Sequence, residues 1–90
     1  MAVNTEKDKK LVAVIRDRNA LLFQGAVEAV SSFNDTGPFD ILPQHQNFIS
    51  LIKQAVILHL ADKQEKRIEL TLGVLKVSSD NVEIYLGIVR

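Results

Sequence analysis

The sequence contains no cysteine, which excludes disulfide staples, thiolate nucleophiles and the cysteine spacings of zinc modules. A small domain without staples fits a reducing cytosol. Neither sign of charge is in excess, with 11 Lys and Arg against 11 Asp and Glu. There is thus no cationic surplus to release counterions from nucleic acid, and no basic block long enough to hold an anionic membrane. Long apolar runs are missing as well. The longest, Leu11 to Ile15, falls far short of the ~20 residues that a membrane span needs, as does Ala55 to Leu58, so direct membrane insertion is not expected. The polar N-terminus lacks the apolar core of a signal peptide.

What remains is an ordinary folded composition. Of 90 residues, 47% are apolar and 24% charged, which suits one domain rather than a disordered chain. Residues 1–9 are polar and read as a flexible N-terminal arm, with the folded domain at 10–90. Within that arm Lys7, Asp8 and Lys9, with Lys10 beyond it, mix both signs and read as a solvated stretch.

From Leu11 the chain becomes apolar and β-branched. Leu11–Ile15 reads as a buried strand, and Asp17-Arg18-Asn19 as a turn. In the next strand Leu21, Phe23 and Val27 share one face, whereas Val30 falls on the other. A β-bulge near Gly25 would restore that phase. Ser31 to Gly37 reads as a polar loop. In the last third, Ile68, Leu70 and Leu72 alternate with polar residues up to Gly73. Leu75 and Val77 form a second alternating run, and after a Ser79-Asp80-Asn81 turn Val82, Ile84, Leu86 and Ile88 form a third. Short alternating strands with turn signals between them predict an all-β fold, a flattened antiparallel sandwich or barrel.

The middle of the chain reads two ways. Phe48, Ile52, Ala55, Val56, His59 and Leu60 fit one face of a helix that Asn47 could cap. Phe48, Ser50 and Ile52, then Val56, Leu58 and Leu60, equally fit two strands turning near Lys53-Gln54. Periodicity alone places the helix slightly ahead, and a small α+β module with a helix at 48–61 is the corresponding alternative fold.

Both prolines lie in the segment Gly37-Pro38-Phe39-Asp40-Ile41-Leu42-Pro43-Gln44-His45, which ends in one of the two histidines. Proline fixes φ and removes a donor, so the segment reads as a rigid surface loop of the kind that carries function. Catalytic signals are absent. No serine stands in a nucleophile-elbow context, no glycine loop could cradle phosphate, and no His, Asp and Glu set converges along the sequence. The reading is therefore a non-enzyme that needs no cofactor and binds no metal. His59, in an apolar run, reads as a half-buried sandwich residue, and Gly25 and Gly73 as backbone requirements.

Taken in order, Phe23-x-Gly25-x-Val27-x-x-Val30, Gly37-x-Phe39-Asp40-Ile41-Leu42-Pro43-x-His45, Leu72-Gly73-Val74-Leu75-Lys76-Val77 and Asn81-Val82 resemble the β-sandwich domain of the epsilon subunit of F-type ATP synthases (delta in mitochondrial naming). The resemblance runs from about Leu11 to Arg90, and Leu-Pro-x-His is its most specific element. It implies strands rather than a helix at 48–61, arranged as a β-hairpin. The family's usual Pro-Gly-type turn is replaced there by Lys53-Gln54-Ala55, and its common glycine pair by the single Gly73. Family members commonly continue into a two-helix C-terminal segment. This sequence holds no such helical hairpin, so no inhibitory role of those helices is assigned to it.

The resemblance further implies a non-catalytic central-stalk part, packed against the gamma shaft and resting on the polar loops of the c-ring at the cytoplasmic face of a bacterial inner membrane. It places partner contacts on Pro38, Phe39, Asp40, Pro43 and His45. For Phe39 the competing reading is a core plug beneath the loop, for His45 a ring that satisfies loop carbonyls, and for Asp40 an Asx-type turn. A free-standing sandwich adaptor, which kept the fold without the rotor role, is the alternative function.

Overall fold

The structure, a computed structural model, describes residues 10–87. The flexible arm expected at 1–9 lies outside the described residues, as does the end of the last predicted strand at Ile88. Seven strands follow in order: β1 Leu11–Arg16, β2 Leu21–Val27, β3 Ala29–Asn34, β4 Gly37–Ile41, β5 Phe48–His59, β6 Glu65–Ser78 and β7 Asn81–Leu86. They form one sheet in the order β2-β1-β7-β6-β5-β3-β4.

Strands from both ends of that sheet meet in one core. Leu11, Ala13 and Ile15 of β1 and Val82 and Ile84 of β7 cluster with Val30 of β3, Ile41 of β4 and Val56 and Leu58 of β5. The sheet must fold over on itself for this to occur, and β5 and β6 are the strands that make the bend. The first half of β5 pairs with the second half of β6, from Phe48↔Val77 to Ile52↔Gly73. Its second half pairs with the first half of β6, from Gln54↔Leu70 to His59↔Glu65. Only the second half of β6 carries β7, while β3 joins β5 at Lys53 and at Ile57–His59. The expected all-β sandwich is what the chain forms, with one pair, β1 and β7, running parallel.

The bend arises at a bulge. Thr71 and Leu72 of β6 stand opposite the single residue Lys53 of β5. Two residues against one kink a ladder and reverse the in–out phase of the longer strand. Ile68 and Leu70 accordingly point inward before the bulge and Leu75 and Val77 after it, while Leu72 is left exposed. The two short strands expected on either side of Gly73 are therefore one strand of 14 residues. Gly73 lies inside it because a Cβ there would come within 2.8 Å of the Tyr85 carbonyl oxygen on β7.

Four other expectations are corrected. The segment 48–61 is neither helix nor hairpin but one strand of 12 residues, and the connection to its partner comes at Ala61–Lys63. Lys53-Gln54 bends the strand without reversing it, with Gln54 at φ 74°. Gly25 is no bulge, since it pairs in regular register with Ala13. The phase change between Val27 and Val30 is a break at Glu28, whose N–H donates to the His59 carbonyl at 2.7 Å. The loop expected over Ser31–Gly37 is strand as far as Asn34, with a two-residue turn at Asp35-Thr36. The turns read from Asp17 and Asp80 are present. Asp17 Oδ1 accepts the N–H groups of Asn19 and Ala20, each at 2.9 Å.

Candidate functional site: the β4 edge, its loop and the outer apolar row

Gly37 to His45, expected to be all loop, is an edge strand followed by a loop. β4 pairs with β3 alone, from Val30↔Ile41 to Asn34↔Gly37. An edge position accommodates Pro38, since an edge strand needs only half of its backbone groups for the ladder. Its side chain is exposed. Gly37, at φ 129°, takes a conformation that side chains resist and so closes the turn into β4.

Phe39 turns inward. It packs against the core and meets Phe48 edge-on, ring centroids 5.6 Å apart. Its role as a plug is thus visible in the fold. Beyond Ile41, which is fully buried, the loop Leu42–Asn47 crosses back to β5. Pro43 is half-buried there, between exposed Leu42 and Gln44. His45 donates from Nδ1 to the Gln46 carbonyl at 2.7 Å, an assignment that follows because a carbonyl can only accept. The His45 ring then lies edge-on to Phe48 at 5.5 Å, completing the series Phe39–Phe48–His45 under the loop. Beside them lies a shallow, open depression lined by Asn47, Phe48, Ile49, Lys76, Val77 and Ser78.

Asp40 forms no Asx turn. Its Oδ1 accepts the Ser31 hydroxyl at 2.6 Å. Ser31 Oγ in turn lies 2.8 Å from His59 Nε2, and His59 Nδ1 lies 3.4 Å from Glu65 Oε2. Four residues distant in sequence thus form one polar row across β4, β3, β5 and β6. No local motif announces it, because only the strand registers Ser31↔Asp40 and His59↔Glu65 bring the groups together. Ser31, His59 and Glu65 stand in the order of a hydrolytic triad. The serine proton, however, goes to Asp40, so Nε2 is a donor to Oγ and cannot act as its base. Among the described residues no three His, Asp or Glu side chains form a metal-binding group.

The outer face of the other layer carries apolar side chains beside the charged Arg16, Lys76 and Glu83. Leu51 of β5, Val74 of β6, Tyr85 of β7 and Arg16 of β1 are register partners in one row across four strands. Leu51 is 61% exposed, its neighbour Ile49 66% and Tyr85 41%. Leu21, Leu22 and Leu72 are exposed as well.

The described residues thus form an all-β sandwich that combines an exposed outer row at Leu51 and Tyr85 with a braced edge loop. The chain belongs to the ATP synthase delta/epsilon chain beta-sandwich domain family, whose model matches residues 10–87. The ATP synthase epsilon chain of a Nitratiruptor species is 36% identical over 61 residues, covering 67% of this chain and 47% of that protein. The chain thus spans about half the length of this curated relative. In fold it is similar to a chain of the Euglena gracilis mitochondrial ATP synthase, in an OSCP/F1/c-ring structure, with TM-score 0.81 at 14% identity over 87% of this chain and 51% of that one. A chain of the Tetrahymena thermophila mitochondrial ATP synthase central stalk and c-ring matches with TM-score 0.72 at 9% identity, over 87% of this chain and 63% of that one. At such identities these two likenesses speak for the fold alone. The family is one of stalk subunits rather than catalytic ones, which agrees with the expectation of a non-enzyme.

Proposed function

We propose that this domain is a rotor part of the central stalk of a proton-translocating F-type ATP synthase, joining the gamma shaft to the polar loops of the c-ring at the cytoplasmic face of a bacterial inner membrane. The observation that carries this reading is the outer row Leu51–Val74–Tyr85 with Ile49 beside it, apolar surface that a free-standing domain gains nothing by exposing. A torque joint also needs a stiff body, which a closely packed sandwich core supplies.

On this reading the contacts at the β4 end come from Pro38, Asp40, Pro43 and His45, with Phe39 holding the loop from beneath. The loop is braced before any partner arrives, so little side-chain and backbone freedom is lost on docking. The test is co-purification of this chain with the gamma subunit encoded in the same genome, followed by a sizing column. Co-elution as a one-to-one complex, weakened by Pro38→Ala or His45→Ala, supports the stalk role. A monomer eluting apart from free gamma overturns it and leaves the adaptor reading.

A further inference from the structure

Within the loop, Leu42-Pro43-Gln44-His45 is a tight turn closed by the His45 N–H, which donates to the Leu42 carbonyl at 3.1 Å. Proline stands second in this turn, and Gln44, in third place, has φ 69°. That is the pattern of a type II turn, whose third position suits glycine because φ is positive there. A glutamine resists that conformation. The competing type I turn keeps the same closing bond and accepts Gln44 without strain, but it turns the Pro43–Gln44 peptide over. A contact with that peptide therefore chooses between the two forms, and the structure contains one. The Gln44 N–H donates to Asp80 Oδ1 at 2.6 Å, across 36 residues of sequence.

Asp80 is an unfavourable choice for its own position. Ser78 pairs with Asn81, so Ser79 and Asp80 are the central residues of the β6–β7 hairpin, at φ 51° and 65°. A hairpin turn of this kind, type I′, favours glycine at its second central position. The Asp80 carboxylate serves the Leu42–His45 turn and not the hairpin. We infer that Asp80 is a positioning residue for the loop, which holds the Leu42–His45 turn in the type II form that a partner meets. The inference rests on the reading of this loop as a docking element, and it adds what presets the loop for docking.

Two glycine substitutions separate the roles. Asp80→Gly removes the carboxylate yet suits the hairpin, and the bond from the Val12 N–H to the residue 80 carbonyl is backbone and survives. Once released, Gln44 relaxes toward negative φ. The share of molecules with the docking form then falls, and the apparent affinity falls with it. Gln44→Gly acts in the opposite sense. It makes the type II form favourable by itself, so the carboxylate becomes dispensable.

The experiment is titration calorimetry of the whole chain with purified gamma subunit, with NMR and thermal melts of the free chain beside it. A strong cross-peak between the Pro43 Hα and the Gln44 amide proton marks the type II form. Asp80→Gly should melt close to the wild type, since relief at two strained positions offsets the lost bond. It should lose the cross-peak and bind gamma roughly 3- to 10-fold more weakly. Asp80→Asn, which keeps an acceptor oxygen, should bind within about twofold of the wild type. So should the double variant Gln44→Gly with Asp80→Gly, which needs no acceptor. Wild-type affinity in Asp80→Gly, or a double variant as weak as Asp80→Gly, overturns the inference. If the wild type itself does not bind gamma, the stalk reading fails and the cross-peak decides for Asp80. Unchanged in Asp80→Gly, it overturns the positioning role, and lost, it supports that role.

Discussion

Asp80 Oδ1 accepts the backbone N–H of Gln44 at 2.6 Å, which fastens the middle of the Leu42–Asn47 loop to the turn between β6 and β7. The same residue's carbonyl accepts the Val12 N–H at 2.9 Å, so one turn residue secures the loop and the start of β1. Gln44 and Asp80 both have positive φ, at 69° and 65°, a conformation that asparagine and aspartate tolerate better than most residues.

Two substitutions of Asp80 should therefore part company. Asp80→Asn keeps an acceptor oxygen and a residue suited to positive φ, and should lower stability by less than about 1 kcal/mol. Asp80→Ala loses both, and should lower it by about 1–3 kcal/mol while the Gln44 amide loses its protection from exchange. Urea unfolding with amide exchange measures both. A Gln44 amide equally protected in Asp80→Ala would show that the loop is held by something other than this bond.

Ser32 is the single buried polar side chain of the core among the described residues, and its hydroxyl donates to the Ala55 carbonyl at 2.8 Å. That carbonyl lies just past the β5 bend, and β3 shifts its register against β5 at the same level. Ser32→Ala should cost about 1–3 kcal/mol, because it orphans a buried acceptor. Ser31→Ala, one residue away on the more exposed face, should cost clearly less. The urea midpoint should fall with its slope unchanged, and equal shifts for the two serines would refute the assignment.

Glycine substitutions should separate the two positions that alternation in the sequence singled out. A Cβ at Gly73 meets the Tyr85 backbone oxygen at 2.8 Å, and backbone cannot swing away as a side chain can. At Gly25 the nearest neighbour is the Phe23 ring at 3.6 Å, an ordinary contact. Gly73→Ala should therefore destabilise by about 1–3 kcal/mol. Gly25→Ala should be neutral or gain up to about 1 kcal/mol from a less flexible unfolded chain. Since 1 kcal/mol moves the melting temperature of a domain this size by about 4–8 °C, thermal melts resolve the pair.

These glycines also show what the sequence could convey. Two phase changes in the apolar alternation were legible, one between Val27 and Val30 and one between Leu72 and Leu75. A phase change shows that the regular register slips, but not whether the chain stays paired. The first is a break at Glu28 and the second a bulge at Thr71-Leu72, the reverse of the local reading in each case. The middle segment was ambiguous for a related reason. Phe48, Ile52, Val56 and Leu60 are four apart, a spacing that suits the face of a helix and a period of two alike. The resemblance supplied the strands, and the structure places the bend in β5 at Lys53-Gln54. The core and the Leu-Pro-x-His loop were legible. The Asp40–Ser31–His59–Glu65 row was not, since it rests on registers between strands that no local pattern encodes.

The outer row gives the sharpest test of the stalk reading. Leu51 is 61% exposed and its partner across the ladder is Val74, so its side chain does little for the free domain. Leu51→Glu should leave stability within about 0.5 kcal/mol of the original, as surface changes away from special features do. If the row is the face that the shaft covers, the same change places a charge in an apolar interface. Affinity for the gamma subunit should then fall by at least about tenfold, a loss of about 1.4 kcal/mol. His45→Ala lies on the loop rather than on the row, and its effect reads the second contact independently. Titration calorimetry with purified gamma separates the cases. Full affinity in Leu51→Glu together with a loss in His45→Ala would confine docking to the loop, and would leave the exposed apolar row without the role proposed for it.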